Sequence, residues 1–415
     1  GRGGAGAGAM TGFPAPPPAT HADVLIVGGG LAGSLIALAI AARDASRRVV
    51  IVDAGTPAPD QSGSHTWSFH DTDLSPDAAR WIAPAIAHRW PGQQVRFPAF
   101  VRRLRAGYAS LTTQSLRAAV QALPMVTLCP GRAAAIGAAG AELQDGTRLN
   151  APCVIDATGR VPRGYLALGW QKFVGVEIRT PRPHGRALPI IMDATVDQRD
   201  GYRFVYTLPF APDRILIEDT RYSDGPALDH ASFAAGIGDY ARAQGWDGTE
   251  MRREHGVLPI AMAFDAEALW NDAVGGPVPA GMRAGLFHPV TGYSLPLAAR
   301  AADTIAAALL DAPASTAGVM AAMRRFALDT AARQGFLRLL SRMLFMGAAP
   351  AARRKVLERF YRLPEPLIER FYAGDLTRAD QARILIGRPP IPVRDALPCL
   401  REGPLIDDLR RKRTT

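Results

Sequence analysis

A short buried strand, "DVLIV", runs straight into "GGGLAG" and then into the apolar stretch "SLIALAIAARD". Gly28, Gly30 and Gly33 thus form G-x-G-x-x-G where that spacing has physical meaning, between a strand and a helix. The three glycines serve a tight turn, close approach of backbone to a pyrophosphate, and close helix-to-strand packing, with phosphate at the helix N-terminus. The next strand, "RRVVIVDAG", ends in Asp53, twenty residues after Gly33. A carboxylate there accepts hydrogen bonds from ribose hydroxyls. A Rossmann-like dinucleotide-binding unit is predicted. Gly1, Gly3 and Gly6 repeat the spacing with no strand before them, so that match carries no meaning.

The run Val24 to Ala42 is uncharged and imitates a membrane span, but its glycines divide it into a strand and a helix. Asp23 also stands where a signal peptide would carry positive charge. With 415 residues, 48% apolar and 21% charged, the chain is long enough for two or three domains and is not a disordered polymer. Its net charge of +10 is localised. Ten Lys and Arg face two acids between Ala321 and Arg362, which points to a local anionic partner. No nucleic-acid-binding module accompanies that segment, so a membrane surface is favoured over nucleic acid. Cys129, Cys153 and Cys399 are odd in number and far apart, which gives neither a disulfide framework nor a metal site and makes the reducing cytoplasm the default. His65 and His70 have no obvious carboxylate or sulfur partner and read as structural.

Along the chain, residues 1–20 are Gly/Ala-rich and then Pro-rich, and are expected to be disordered. Residues 21–160 read as the first part of the nucleotide-binding domain, in which "PCVIDATG" is a second buried strand entering a turn at Thr158 and Gly159. Residues 161–280 alternate as sheet does. In "YRFVYTL", Tyr202, Phe204 and Tyr206 share one face. "RILIEDT" places three apolar residues before Glu218 and Asp219, as though a buried strand ended in two acids. Residues 281–316 return to the first domain: "AGLFHPVTGYSLPLAARAADTIAAALL" reads as strand, Pro/Gly turn, and a helix with Pro296 in its first turn. Residues 317–396 are helical and basic, and 397–415 are expected to be a flexible tail. One glycine fingerprint, a late return strand, and a late helix able to bring its positive end to a flavin ring favour FAD over a nicotinamide.

The blocks "GGGLAGSLIAL", "HTWSFHDTDL", "RWIAP", "IIMDATVDQRDGYRFVYTLP", "LIEDTRY", "RAGLFHPVTGYSLPLA" and "RMLF" resemble the bacterial lycopene β-cyclases, from about His21 to about Ala396. The resemblance implies a mixed α/β fold: a glutathione-reductase-like FAD domain, an inserted β-sheet substrate domain and a C-terminal helical region. It also implies an isomerase of carotenoid biosynthesis, a non-redox flavoenzyme. Such enzymes close the ψ-ends of lycopene into β-ionone rings, through γ-carotene to β-carotene, with reduced FAD and NAD(P)H as electron source. The chain departs from the wider superfamily at Gly285 to Phe287, where relatives commonly place an acid for the ribityl chain.

Ring closure begins by protonating an alkene, which needs a strong acid held neutral by an apolar site or by a second carboxylate. On a strand, Ile215, Ile217 and Asp219 share one face, and Leu216, Glu218 and Thr220 the other, so the two acids point oppositely. By the resemblance, Glu218 is the acid or the base and Asp219 supports it. Without that context, both read as solvated residues at a strand end. The reduced flavin is the alternative proton donor. Cofactor contacts are expected from Gly28, Gly30, Gly33, Asp53, Thr158, Gly159, His288, Pro289, Gly292 and Tyr293, substrate contacts from Tyr202, Phe204 and Tyr206, and metal contacts from none. Aromatic faces there can stabilise a cation. "RQGFLRLLSRMLFMG" interleaves Arg333, Arg338 and Arg342 with large apolar residues, as in an interfacial helix. It is matched to peripheral attachment at the inner face of the cell membrane, where a hydrocarbon substrate dissolves. An FAD-dependent monooxygenase or reductase acting on a lipophilic isoprenoid and a non-catalytic isoprenoid carrier are the competing readings.

Overall fold

The computed structural model describes residues 22–55, 64–199, 201–311, 313–386 and 392–414. The expected N-terminal disorder lies outside these residues. A five-stranded parallel sheet runs in the order Val278–Pro279, Cys153–Asp156, Val24–Val27, Val49–Asp53, Val126–Pro130. Its central strands read as unbroken apolar runs because both faces are covered. Val24, Ile26, Val49 and Ile51 face the helices Leu31–Arg43 and Leu295–Asp311. Leu25, Val27, Val50 and Val52 face a small antiparallel sheet, Ala133–Gly137, Gly140–Leu143 and Arg148–Asn150.

The second layer is a seven-stranded sheet in the order Thr249–Phe264, Leu166–Arg179, Arg214–Ser223, Tyr202–Ala211, Ile190–Asp193, Gln93–Phe97, Phe100–Leu104. Period-two alternation divides its two faces. Val174, Val176, Val205, Ile215 and Ile217 pack beneath the helix His230–Ala243, while Tyr202, Phe204, Tyr206 and Leu216 belong to a different cluster on the other face. A three-stranded sheet, Thr66–His70, Tyr108–Thr112 and Ile86–Trp90, sits beside that second face.

Four expectations change. "RILIEDT" does not end a strand, because Arg214–Ser223 continues past both acids with buried residues throughout its C-terminal part. No strand forms at Ala284–Phe287. The strand is Val278–Pro279, followed by a 3-10 turn, Gly281–Ala284, that ends on Gly285 at φ +70°. Within the segment expected to be a flexible tail, Gly403–Thr414 is a helix whose Arg410 and Arg413 both bind the buried Asp265. The segment expected to be an interfacial helix turns two of its three arginines inward: Arg338 and Arg342 are buried, paired with Glu402, and Arg342 also donates to the carbonyls of Cys399 and Met262, while Arg333 and Met346 stay exposed. Three of the ten cations of the basic segment, Arg338, Arg342 and Arg353, thus pair with acids distant in sequence, Arg353 with Asp224.

Candidate active site

The glycine turn is built as its spacing requires. Gly28 has φ +115°, and a Cβ on it would lie 2.3 Å from the carbonyl oxygen of Ala157. A Cβ on Gly33 would lie 2.0 Å from the carbonyl oxygen of Gly28, so Gly33 serves packing. Gly30 faces open space and is the N-cap of Leu31–Arg43, with no side chain capping that end. The first amides of a 13-residue helix are thus left for an anion. Asp53 accepts from Arg117 at 2.7 Å and borders the same space.

A cavity of about 480 Å³ runs from this turn to the second face of the large sheet. It is bordered by Gly28, Gly30, Asp53, Thr158, Gly159, Gly292, Tyr293, Tyr206 and Glu218, nine of the expected site residues. The helix Leu295–Asp311 starts at its wall with Ser294 and Leu295. A second cavity of about 640 Å³ shares Gly28, Ala54 and Thr158 and continues along the small antiparallel sheet. An uncapped helix end, an open glycine and space on both sides of the turn fit a long dinucleotide such as FAD.

Glu218 stands on the cavity wall, on the face opposite Asp219. Thr220 donates to its Oε1 at 2.9 Å. Burial, with Glu254 nearby as the next cause, pushes its carboxyl up to about 8. Tyr206 is next to it in register and donates to Ser68 at 2.9 Å, with the Tyr108 hydroxyl 3.0 Å away. Burial raises the Tyr206 phenol, so it stays neutral.

Asp219 is fully buried under the helix His230–Ala243. Its carboxylate accepts from Arg203 Nε at 2.9 and 3.1 Å and lies 2.8 Å from Arg203 Nη2, with Arg221 Nε at 3.3 Å. Neither acid is a solvated residue at a strand end. Tyr202 and Phe204 are core residues that do not border the cavity. His288 is also held away from it. Its Nε2 donates to the Phe371 carbonyl at 2.8 Å, and its Nδ1 accepts from Val290 and Thr291. Burial depresses it to about 4, so it is a neutral turn residue. The carbonyl of Pro289 accepts from Ala261 and Ser341. His70 has a carboxylate partner after all, Asp73 at 3.2 Å, whereas His65 borders the cavity. Among the described residues no group of side chains is arranged to hold a metal ion.

Sequence reasoning missed Thr66, Trp67, Gln171, Phe173, Gly256 and Leu258 on the cavity wall. Gly256 and Leu258 share a strand face with Glu254, so period two was the available signal for those two, whereas Thr66 and Trp67 are consecutive residues that both border the cavity, which alternation does not give.

A parallel dinucleotide sheet joined to a broad second sheet, with the cavity between glycine turn and sheet face, is the fold of flavin-dependent enzymes. A geranylgeranyl bacteriochlorophyll reductase-like protein from Thermoplasma acidophilum shares it at a TM-score of 0.60 and 14% identity, covering 91% of this chain and 98% of that one. A flavin-dependent halogenase from Xanthomonas campestris does so at 0.54 and 14%, covering 94% and 95%. More narrowly, the chain belongs to the lycopene cyclase family, described as "Lycopene cyclase protein", which matches residues 23–397. It is 54% identical to a lycopene beta-cyclase of Paracoccus sp. (strain N81106 / MBIC 01143) over 94% of this chain and 99% of that protein. It is 46% identical to one of Pantoea ananas over 91% and 97%.

Proposed function

We propose that this protein is a lycopene β-cyclase that closes the ψ-ends of lycopene by acid catalysis, through γ-carotene to β-carotene, with FAD held reduced by NAD(P)H. The observation that carries this reading is one carboxyl, Glu218, kept protonated near neutrality on the wall of a cavity that begins at the dinucleotide turn.

Glu218 donates its proton to the terminal double bond. The resulting tertiary cation is attacked by the neighbouring double bond, a ring bond forms, and a ring proton leaves to a carboxylate. One proton enters and one leaves, so there is no net oxidation. Phe173, Leu258 and Gly256 give the wall its apolar character and exclude water. Tyr206, Tyr293 and Trp67 present aromatic faces worth about 0.5–2 kcal/mol each to a cation. Gly28, Gly30, Asp53 and Thr158 would hold the FAD, which supplies negative charge beside the cation when reduced. Asp219 acts as support by fixing the strand through its arginines.

Purified protein given dithionite-reduced FAD and lycopene is expected to yield β-carotene without stoichiometric consumption of reductant. A hydroxylated or reduced carotenoid made with equimolar reductant, or unchanged lycopene, overturns the reading.

We further propose peripheral attachment to an anionic, cytoplasmic membrane face. No described helix is long and apolar enough to cross a membrane. With Arg338 and Arg342 interior, the support shifts to exposed Met346, Leu397 and Leu400, carried on segments that touch, with exposed Arg401 beside them. The protein should co-sediment with anionic liposomes in preference to neutral ones, and binding to neither counts against attachment.

A further inference from the structure

Across the large sheet, Tyr206 pairs with Glu218, Glu218 with Gly175, and Gly175 with Glu254. The two glutamates occupy one row on strands about 10 Å apart, with only a residue lacking a side chain between them. Glu254 and Leu216 share the space above that glycine, with Leu216 Cδ1 3.2 Å from where a Cβ on Gly175 would lie. A Cβ on Gly175 would lie 3.1 Å from Glu254 Cγ and 3.5 Å from its Oε1. The other oxygen, Oε2, accepts from Arg252 Nη1 at 2.6 Å and from Thr66 Oγ1 at 3.0 Å. One end of the Glu254 carboxylate is tied to a cation, and the other leans toward the strand of Glu218.

We propose that Glu254 is a positioning residue that keeps Glu218 protonated at neutral pH, an inference that rests on reading Glu218 as the acid. Of the two carboxyls only Glu254 has a guanidinium partner, while Glu218 has the Thr220 hydroxyl. Burial holds Glu254 above the ordinary carboxyl range with Arg252 pulling against it, and it is the guanidinium at 2.6 Å, which Glu218 lacks, that assigns the first ionisation of the pair to Glu254. Its charge, reaching across Gly175, then opposes ionisation of Glu218. Burial and this charge are the two largest causes acting on Glu218.

The other groups around Glu218 supply little of that opposition. Thr220 favours its anion, Asp219 on the reverse face adds a smaller push in the same direction and is itself paired with Arg203 and Arg221, and Tyr206 and Tyr293 are neutral phenols. Gln171 on the neighbouring strand is uncharged. Arg252 attracts an anion, but it is matched by Glu254 and by Glu177 at 3.1 Å. Glu177 is further bound by Arg214.

The test is the pH profile of kcat for Glu254→Gln with reduced FAD and lycopene, beside the parent and Glu218→Gln. The alkaline limb of Glu254→Gln should move down by about one pH unit, leaving turnover near the parent's at pH 6 and about fivefold to tenfold below it at pH 8.5. Glu254→Asp keeps the charge but withdraws it by one methylene, so its limb should fall between the two. A superimposable profile for Glu254→Gln, or an equal loss at every pH, overturns the inference. If Glu254→Gln does not fold, an unmoved limb in Glu254→Asp overturns it and a limb displaced downward supports it. Parental activity in Glu218→Gln is a separate failure, that of the acid assignment itself.

Discussion

Glu218→Gln is expected to lose cyclisation by about 10²–10⁴-fold, the range general acid catalysis contributes, while the protein stays folded and retains flavin. The substitution keeps the shape of the side chain and an acceptor for Thr220, whose hydroxyl donates at 2.9 Å. It removes only the proton that an alkene needs. The measurement is β-carotene formed per mole of protein from lycopene with reduced FAD, with flavin content measured on the same preparation. β-Carotene at the parental rate removes Glu218 from the chemistry and leaves the reduced cofactor as the proton source.

The pH behaviour of the parent follows from the same carboxyl. With Glu218 near 8, turnover should hold through neutrality and fall above about 8 as the acid is lost. Stability moves in the same direction. The folded value of about 8 lies above the ordinary 4.5, so this group's contribution is fully present below about 4.5 and is lost as pH rises through 8. Glutamine does not titrate. Glu218→Gln should therefore match the parent in thermal stability below about pH 4.5 and exceed it by a margin that grows with pH and levels off above about 8, a combination that separates a lost acid from a damaged fold.

How far the sequence foretold this site depends on whether the deciding contact is local. The glycine turn was legible because its three requirements arise within one strand, one turn and one helix. Alternation alone separated Glu218 from Asp219. It did not reveal that the strand continues to Ser223, since the buried residues there include Asp219 and Arg221, charged groups whose hydrogen bonds are completed by Arg203 on the next strand and Ser232 on the covering helix. Glu254 stayed hidden for a similar reason. It meets Glu218 through Gly175, and no local pattern in "RREHGV" gives that register. His288 and Arg338 misled in the opposite sense. Each reads as an exposed functional group, and each is consumed by backbone carbonyls or an acid from a distant segment. The composition of the basic segment was visible, but the pairing of Arg338, Arg342 and Arg353 with Glu402 and Asp224 was not.

Asp219→Ala is expected to destabilise the protein by about 3–5 kcal/mol, a large part of the 5–15 kcal/mol that holds a typical domain folded. Asp219 is 0% exposed and is the carboxylate between two buried guanidiniums, Arg203 and Arg221. Arg221 is fixed further by Ser232 at 3.0 Å and by the Phe233 ring, 3.9 Å from its guanidinium carbon. Removing the carboxylate would leave two cations side by side beneath a helix with no route to water. Gly236 marks how tightly the group is enclosed, because a Cβ there would lie 2.2 Å from Asp219 Oδ2. Chemical denaturation of Asp219→Ala and Glu218→Gln side by side gives the contrast. The first should lose stability, with the folded fraction still turning over lycopene, and the second should lose turnover without losing stability. Parental stability in Asp219→Ala would mean that Asp219 does not fix the strand that carries Glu218, and a folded Asp219→Ala protein unable to cyclise would mean that Asp219 reaches the chemistry through the sheet.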